Sequence, residues 1–342
     1  MAWCGDTDRV IQALDVMRCP VCRGRLEEDD GLRCAGCGAH FEVEDGIPRM
    51  LDDRLPGIAE KRGEIEGWVA MAKAQGWYEP DDQVDAKLPY LCRDCGWDDK
   101  TWRANEHSFS LLLDRYVRPG MRVLEVGAAK GWAAQHLVPL GVEYVATDIL
   151  ADPKIGIGRG AFFESRVGPF ARVQADGEHL PFADGAFDLV YCVAALHHAL
   201  DLSRMVGELA RVTRRGGVVA ALNEGTRAVR ASGEVEDQAE EKDYGINEHV
   251  HTLYAYLWAF LRAGLVVTRV EHAEGDADLE RRRIGGKLRK LPAVGRPAAT
   301  WFAQTCYGYS GVSLFARKVI GVGSTEPTRS GGTGFAGAGA GR

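Results

Sequence analysis

The sequence lacks the features of a membrane or exported protein. No apolar run approaches the ~20 residues that cross a bilayer. The first ten residues, MAWCGDTDRV, contain acids and no hydrophobic core of a signal peptide. We therefore expect a cytoplasmic protein that makes no membrane contact. With 342 residues and 46% hydrophobic content, the chain is long enough for one large domain and a smaller one.

An excess of positive charge is also absent, since 49 acidic residues outnumber 42 lysines and arginines. The formal net charge is -7 and the sequence pI is about 5.8. This balance argues against a wide contact with a nucleic-acid backbone. A local exception is Arg281-Arg282-Arg283 with Lys287, Arg289 and Lys290. The default interpretation is a solvated helix face, and the alternative is a patch that binds an acidic substrate or RNA.

Two phosphate-binding signatures are absent around the first clear strand, Val123–Val126. The loop after it keeps only Gly127 and Gly131 of a dinucleotide fingerprint, and no Gly-Lys-Ser/Thr of a P-loop occurs. A helical stretch and a second strand follow, and that strand ends on Asp148. Small residues let the backbone approach a ligand, and an acid at this position accepts hydrogen bonds from ribose hydroxyls. The unit therefore favours a nucleoside without phosphate, such as S-adenosylmethionine (SAM), over a nicotinamide cofactor.

This βαβ stretch resembles motif I and the following acidic motif of class I SAM-dependent methyltransferases, with Ala129 at the middle glycine of the family pattern. The resemblance implies an α/β protein with a Rossmann-like seven-stranded methyltransferase sheet and SAM as cofactor. By the same resemblance Glu125 orients the loop, Asp148 binds the ribose and Asp176 accepts from the adenine amino group. The cofactor-binding residues that it implies lie in the loop and at strand ends: Glu125, Gly127, Ala128, Gly131, Asp148, Ile149, Asp176, Gly177 and Val193.

The stretch Leu196-His197-His198 follows the fourth strand, Phe187 to Val193. It resembles the ubiquinone-biosynthesis-like branch of the family, which acts mostly on small molecules. The Asn/Asp-Pro-Pro-Tyr/Phe motif of enzymes that methylate base amines is absent. We interpret His197 and His198 chiefly as capping or packing residues, with a general base as the alternative.

An insertion after the fifth strand concentrates polar side chains. Insertions at this place usually form the substrate lid. We predict that His249, His251 and Glu224 carry the catalytic general-base work on a substrate hydroxyl. A catalytic metal, which Glu248 would also help to hold, and a merely polar pocket are the alternatives.

Four of the nine cysteines form two close pairs, Cys19-Pro-Val-Cys22 and Cys34-Ala-Gly-Cys37. Two such turns complete a tetrahedron of thiolates around Zn²⁺, which leaves no open position and makes the ion structural. The segment, which ends in Asp45-Gly46-Ile47-Pro48, is similar to the small zinc-ribbon proteins that activate some tRNA and protein methyltransferases. By analogy it braces the catalytic domain or helps form the substrate mouth, or it serves only as a local folding staple.

These patterns predict a zinc ribbon at residues 1–51, a helical linker or cap at 52–110, a SAM-dependent methyltransferase domain at 111–320 and a disordered tail at 321–342. Cys92 and Cys95 form a third pair without a partner pair, so free thiols are the simpler interpretation. We expect methyl transfer to the oxygen, nitrogen or carbon of a small molecule. RNA is the less favoured acceptor, served by the ribbon and the basic patch. A SAM-binding module without turnover is the other alternative.

Overall fold

The computed structural model describes residues 13–229, 239–272 and 311–319, with isolated positions between 287 and 299. Its N-terminal part is a pair of small antiparallel sheets. β1 (Leu26–Glu28), β2 (Leu32–Cys34) and β3 (His40–Phe41) form the first, and β4 (Val43–Glu44) with β5 (Ile47–Pro48) form the second. The cysteine pairs lie on the turns of this ribbon, as the sequence predicts.

Four helices follow the ribbon: α1 (Ile58–Ala74), α2 (Asp82–Asp85), α3 (Leu91–Cys95) and α4 (Lys100–Tyr116). The side chain of Asp81 accepts from the amides of Gln83 and Val84 and so caps α2. Asp99 caps α4 in the same way, through the amide of Trp102. These caps satisfy amides that have no partner inside the helix. Together the helices form a layer that we call the roof.

The large sheet contains seven strands within the described residues: β6 (Arg122–Val126), β7 (Glu143–Asp148), β8 (Ala171–Gln174), β9 (Phe187–Val193), β10 (Thr213–Glu224), β11 (Leu265–His272) and β12 (Val312–Lys318). Their order across the sheet is β11-β12-β10-β9-β6-β7-β8. Neighbours from β10 to β8 are parallel, whereas β12 is antiparallel to both β10 and β11. This mixed sheet confirms the predicted Rossmann-like methyltransferase fold.

Helices cover both faces of the sheet. Beyond the roof they are α5 (Ala134–Leu137), α6 (Gly160–Val167), α7 (Leu202–Val212), α8 (Ala239–Asp243) and α9 (Leu253–Arg262). One apolar core combines α4, α5 and α6 with one face of the sheet. The other combines α7 and α9 with the opposite face and also includes residues of the ribbon. None of the helices in the described ranges is both long and apolar enough to cross a membrane.

The ribbon is joined to the edge of the sheet by backbone contacts. Met17 forms an antiparallel bridge with Phe182, and the amide of Met50 donates to the carbonyl oxygen of Gln174 at 2.9 Å. Gln174 ends β8, the outermost strand on that side. The ribbon therefore extends the edge of the sheet, and its apolar residues belong to the same core as those of the sheet.

Candidate functional site

A cavity of about 530 Å³ lies between the carboxyl edge of the sheet and the roof. Parallel strands bring their ends together at this edge, which is where open α/β sheets bind ligands. Six of the nine predicted SAM-binding residues line the cavity: Gly127, Asp148, Ile149, Asp176, Gly177 and Val193.

The glycine loop turns through left-handed backbone conformations. Gly127 has φ 75° and Gly131 has φ 72°, and Ala129 between them has φ 47°. A side chain at Gly127 would place its Cβ 2.8 Å from the Cβ of Ala195. Ala129 therefore adopts a left-handed conformation that glycine would reach without strain.

Asp148 connects this loop to the end of β7. Its Oδ2 accepts from the amide of Ala129 at 2.7 Å, and its Oδ1 accepts from the amide of Leu150 at 2.8 Å. Burial raises the pKa of Asp148 to about 6, because a carboxylate removed from water loses solvation. The group is therefore ionised at neutral pH and lies at the cavity wall, and its contact with the ribose stays a prediction.

Asp176 is buried at the next strand end. One carboxylate oxygen accepts from the amide of Glu178 at 3.0 Å, and the other lies 2.7 Å from Nδ1 of His179. These contacts restrain the carboxylate of Asp176, which lines the cavity.

Three predicted SAM residues lie behind the lining. Ala128 is buried, and a Cβ on Gly131 would contact the ring of Phe170 at 3.6 Å. Glu125 is buried and accepts a hydrogen bond from the hydroxyl of Tyr144. Burial raises the pKa of Glu125 to about 8, so this carboxyl carries a proton at neutral pH.

We predict that Glu125→Gln stabilises the protein at alkaline pH. The pKa of Glu125 is higher in the folded than in the unfolded chain, so wild-type stability falls as pH rises from about 4.5 to about 8. The neutral amide avoids this loss, and the gain at pH 8 is up to roughly 4 kcal/mol.

Denaturant unfolding of both forms at several pH values measures this gain. Glu143→Gln is the control, because Glu143 pairs with Arg122 on the surface and its loss changes stability by about 1 kcal/mol or less. A wild-type stability that does not change between pH 5 and pH 8 contradicts the assignment of a buried, protonated Glu125.

Glu224 holds a turn and does not line the cavity. It is fully buried at the end of β10. Its Oε1 accepts from the amides of Ala195 and Leu196, both at 3.0 Å, and its Oε2 lies 2.8 Å from Nδ1 of His197. The described contacts of this carboxylate are therefore with other residues of the protein and not with the cavity.

The two other predicted catalytic residues also lie outside the cavity lining. The amide of His249 donates to the carbonyl oxygen of His197 at 2.8 Å, and the ring of His251 packs edge-on against Tyr256 at 5.5 Å. Among the described residues, the histidine that lines the cavity is His198. The general-base assignment to His249, His251 and Glu224 stays a prediction.

The sequence predicts a helical linker or cap at 52–110, but not the part that its side chains take in the cavity. The tryptophan-rich composition of these residues is visible in the sequence, but it does not show that the rings line one cavity. The roof residues that line the cavity are Lys61, Glu64, Trp68, Trp77, Val84, Asp85, Leu88, Leu91, Trp97 and Trp102.

The four ribbon cysteines converge on one point. Sγ of Cys19 lies 3.7 Å from Sγ of Cys37, and Sγ of Cys22 lies 3.4 Å from Sγ of Cys34. All four sulfur atoms lie within 4.8 Å of one another. Four thiolates at Zn–S distances of about 2.3 Å have this spacing. The donor set therefore fits the predicted structural Zn²⁺.

In the described part of the chain, no residue before Lys61 lines the cavity. The contacts of the ribbon therefore favour a role in bracing the catalytic domain over a place at the substrate mouth.

Comparison with known families agrees with this geometry. Residues 124–221 match a family model described as a methyltransferase domain. This chain carries a class I methyltransferase domain. Residues 13–46 match a second model, described as Trm112p-like protein, which covers the ribbon and its four cysteines.

Curated relatives match the methyltransferase domain. A sterol 24-C-methyltransferase of Gibberella zeae is 32% identical over 115 residues, which is 33% of this chain and 30% of that protein. A demethylmenaquinone methyltransferase of Beutenbergia cavernae is 36% identical over 101 residues, 30% of this chain and 40% of that one. An uncharacterised methyltransferase of Bacillus subtilis is 29% identical over 120 residues, 35% and 47% of the two chains. The chain thus spans about a third to a half of the length of these relatives.

Proposed function

We propose that the protein is a SAM-dependent methyltransferase whose acceptor is a small, largely apolar molecule. One observation carries the proposal. A single cavity joins the strand-end residues Gly127, Asp148 and Asp176 to an apolar roof that includes Trp68 and Trp102. Similarity to enzymes named for sterol and demethylmenaquinone methylation supports the same acceptor class.

The two sides of the cavity have different roles. Asp148 and Asp176 offer carboxylate oxygens to the hydroxyl and amino groups of a nucleoside. The tryptophan rings of the roof bury an apolar acceptor and exclude water from it. Bound SAM supplies an electrophilic methyl group. Holding an acceptor atom in line with this group makes the reaction effectively unimolecular, which removes much of its entropic barrier.

The charge of the lining disfavours RNA as the acceptor. Its two lysines are both paired within the chain, Lys61 with Glu64 at 3.3 Å and Lys130 with Asp85 at 2.8 Å. Phosphate contacts need available cationic groups. The predicted basic patch lies outside the described residues except for Lys287 and Lys290, and RNA methylation stays the alternative that the experiment below includes.

Transfer of a radiolabelled methyl group from SAM tests the proposal. The full chain is incubated with the labelled donor and, separately, with the small-molecule, RNA and protein fractions of one cell extract. We expect label in the organic-extractable small-molecule fraction, and product analysis then identifies the methylated atom. Label in RNA alone overturns the acceptor class. SAM binding without transfer to any fraction favours a non-catalytic module.

A further inference from the structure

A second group of potential metal ligands lies at the wall of the cavity. It consists of His197 and His198, at the end of the turn after β9, together with Glu248. Nδ1 of His198 lies 3.5 Å from Oε1 of Glu248, and Nε2 of His197 lies 3.8 Å from the same oxygen. Glu64 of the roof approaches from the other side, with its Oε1 3.8 Å from Nδ1 of His198. We propose that these four side chains bind a divalent cation.

The distances between the ring nitrogens and the oxygens of Glu64 and Glu248 suit metal coordination better than they suit hydrogen bonding. Ligand atoms about 2.1 Å from an ion are separated by roughly 3.0–3.4 Å. The contacts of 3.5–3.8 Å exceed hydrogen-bond length and need to contract by only a few tenths of an ångström around an ion. Nδ1 of His198 donates a hydrogen bond to the carbonyl oxygen of Asn247 at 2.7 Å, and an ion bound at this nitrogen would displace that proton.

A carboxylate behind His197 gives the cluster a typical metal-site arrangement. Oε2 of Glu224 accepts a hydrogen bond from Nδ1 of His197. This contact orients the ring so that its Nε2 is directed toward Glu248. Glu224 is itself anchored by the amides of Ala195 and Leu196. Metal-binding histidines nearly always have such a partner on their second nitrogen, because it fixes the tautomer and the orientation of the ring. This assigns to Glu224 a positioning role at the proposed metal site.

Charge in this region also favours a cation. The carboxyl groups of Glu64, Glu224 and Glu248 are all buried around the two histidines. The ammonium group of Lys61 lies 3.3 Å from Oε2 of Glu64, whereas Oε1 of Glu64 is the oxygen that approaches Nδ1 of His198. A divalent ion among these acids would lower the cost of burying their negative charge.

The donor set indicates the kind of ion. Two imidazoles with two carboxylates suit Zn²⁺, Mn²⁺ or Fe²⁺ rather than Ca²⁺, which takes oxygen ligands alone. His198 and Glu64 also line the cavity, so the ion would face the methyl acceptor.

If the protein is the methyltransferase proposed above, the site names a class of acceptor: an apolar molecule with a hydroxyl group. Coordination to the ion lowers the pKa of that hydroxyl, and its O–H bond releases the proton to solvent. The oxygen then forms a bond to the SAM methyl carbon while the carbon–sulfur bond breaks. The products are the methyl ether, S-adenosylhomocysteine and one proton.

Metal content and the Co²⁺ spectrum of the full chain test the second site without any need for turnover. We expect two ions per wild-type chain after loading with Co²⁺. One gives the strong charge-transfer bands of cobalt thiolates, and the other gives the weaker absorption of a nitrogen–oxygen site. Glu248→Gln and His198→Asn should each lose the second ion and keep the thiolate bands, which also report that the ribbon is folded.

Glu271→Gln is the matched control, since Glu271 pairs with Arg269 on β11 away from the cluster and should leave two ions bound. A single ion in the wild-type chain, or two ions in both cluster variants, overturns the proposal. Calorimetric titration of SAM into the same samples separates the two claims. Retained SAM binding with one ion per chain rejects the metal site alone, whereas absent SAM binding with two ions rejects the methyltransferase assignment alone.

Discussion

Replacement of Asp148 by asparagine is expected to weaken SAM binding at least ~100-fold. Hydrogen bonds to a charged group contribute about 1.5–3 kcal/mol each, the ribose offers two hydroxyls, and every 1.4 kcal/mol changes affinity about tenfold. Asp148 also orders the glycine loop through the amide of Ala129, and the amide group of asparagine cannot accept at both positions. Calorimetric titration with SAM and with S-adenosylhomocysteine measures the loss.

A matched control lies four residues further along the chain. Asp152 also accepts from a backbone amide, that of Lys154 at 2.7 Å, and its other oxygen accepts from the hydroxyl of Tyr78 at 3.0 Å. It does not line the cavity, so Asp152→Asn should keep wild-type affinity within about twofold. An Asp148→Asn protein that is folded and binds SAM normally contradicts the assigned ribose contact.

The affinity for SAM should also depend on pH in one direction. Burial raises the pKa of Asp148 to about 6, so the carboxylate becomes protonated as pH falls through that value. A neutral carboxyl is a weaker acceptor for the ribose hydroxyls. We therefore expect affinity to be constant at and above pH 7 and to fall below pH 6, and this decrease should be absent from Asp148→Asn.

The sheet and the strand-end acids were predictable because their signals are local. β9 runs over Phe187–Val193, as the apolar run predicts, since strands buried on both faces are continuously hydrophobic. Parallel strands then bring Asp148 and Asp176 to one edge, whatever the intervening chain does. The thiolate cluster follows from cysteine spacing alone, because two tight turns supply two pairs of sulfur atoms.

The roof and the polar cluster were not predictable in this way. Their contacts join residues far apart in the chain, such as Glu64 with His198 at 3.8 Å, and no sequence period records such a pair. Glu224 shows which contacts a local pattern leaves out. An acid at a strand end suggests a catalytic base, yet the amides of Ala195 and Leu196 engage its carboxylate. Those two donors come from the turn after another strand, which the sequence does not relate to Glu224.

Loss of a ribbon thiolate is the second change with a large expected effect. Cys34→Ser should abolish zinc binding and destabilise the whole described fold by several kcal/mol. Structural Zn²⁺ supplies roughly 10–16 kcal/mol of apparent binding free energy in isolated zinc fingers, which exceeds or matches the total stability of about 5–15 kcal/mol for a typical domain. Zinc analysis and thermal unfolding measure the two effects. Cys92→Ser is the control, because Cys92 lies outside the cluster and its thiol donates to the carbonyl oxygen of Asp99 at 3.4 Å.

The same variant separates a brace from a local folding staple. Phe41 of the ribbon belongs to the same apolar core as Leu209 of α7, and the amide of Met50 donates a hydrogen bond to the carbonyl oxygen of Gln174. Gln174 precedes Asp176, which lines the cavity, by two residues. If the ribbon braces this edge, loss of zinc should lower SAM affinity together with the melting temperature, because the position of Asp176 depends on the ribbon. If Cys34→Ser loses zinc yet binds SAM with wild-type affinity, the ribbon supports only its own fold, and β8 keeps Asp176 in place without it.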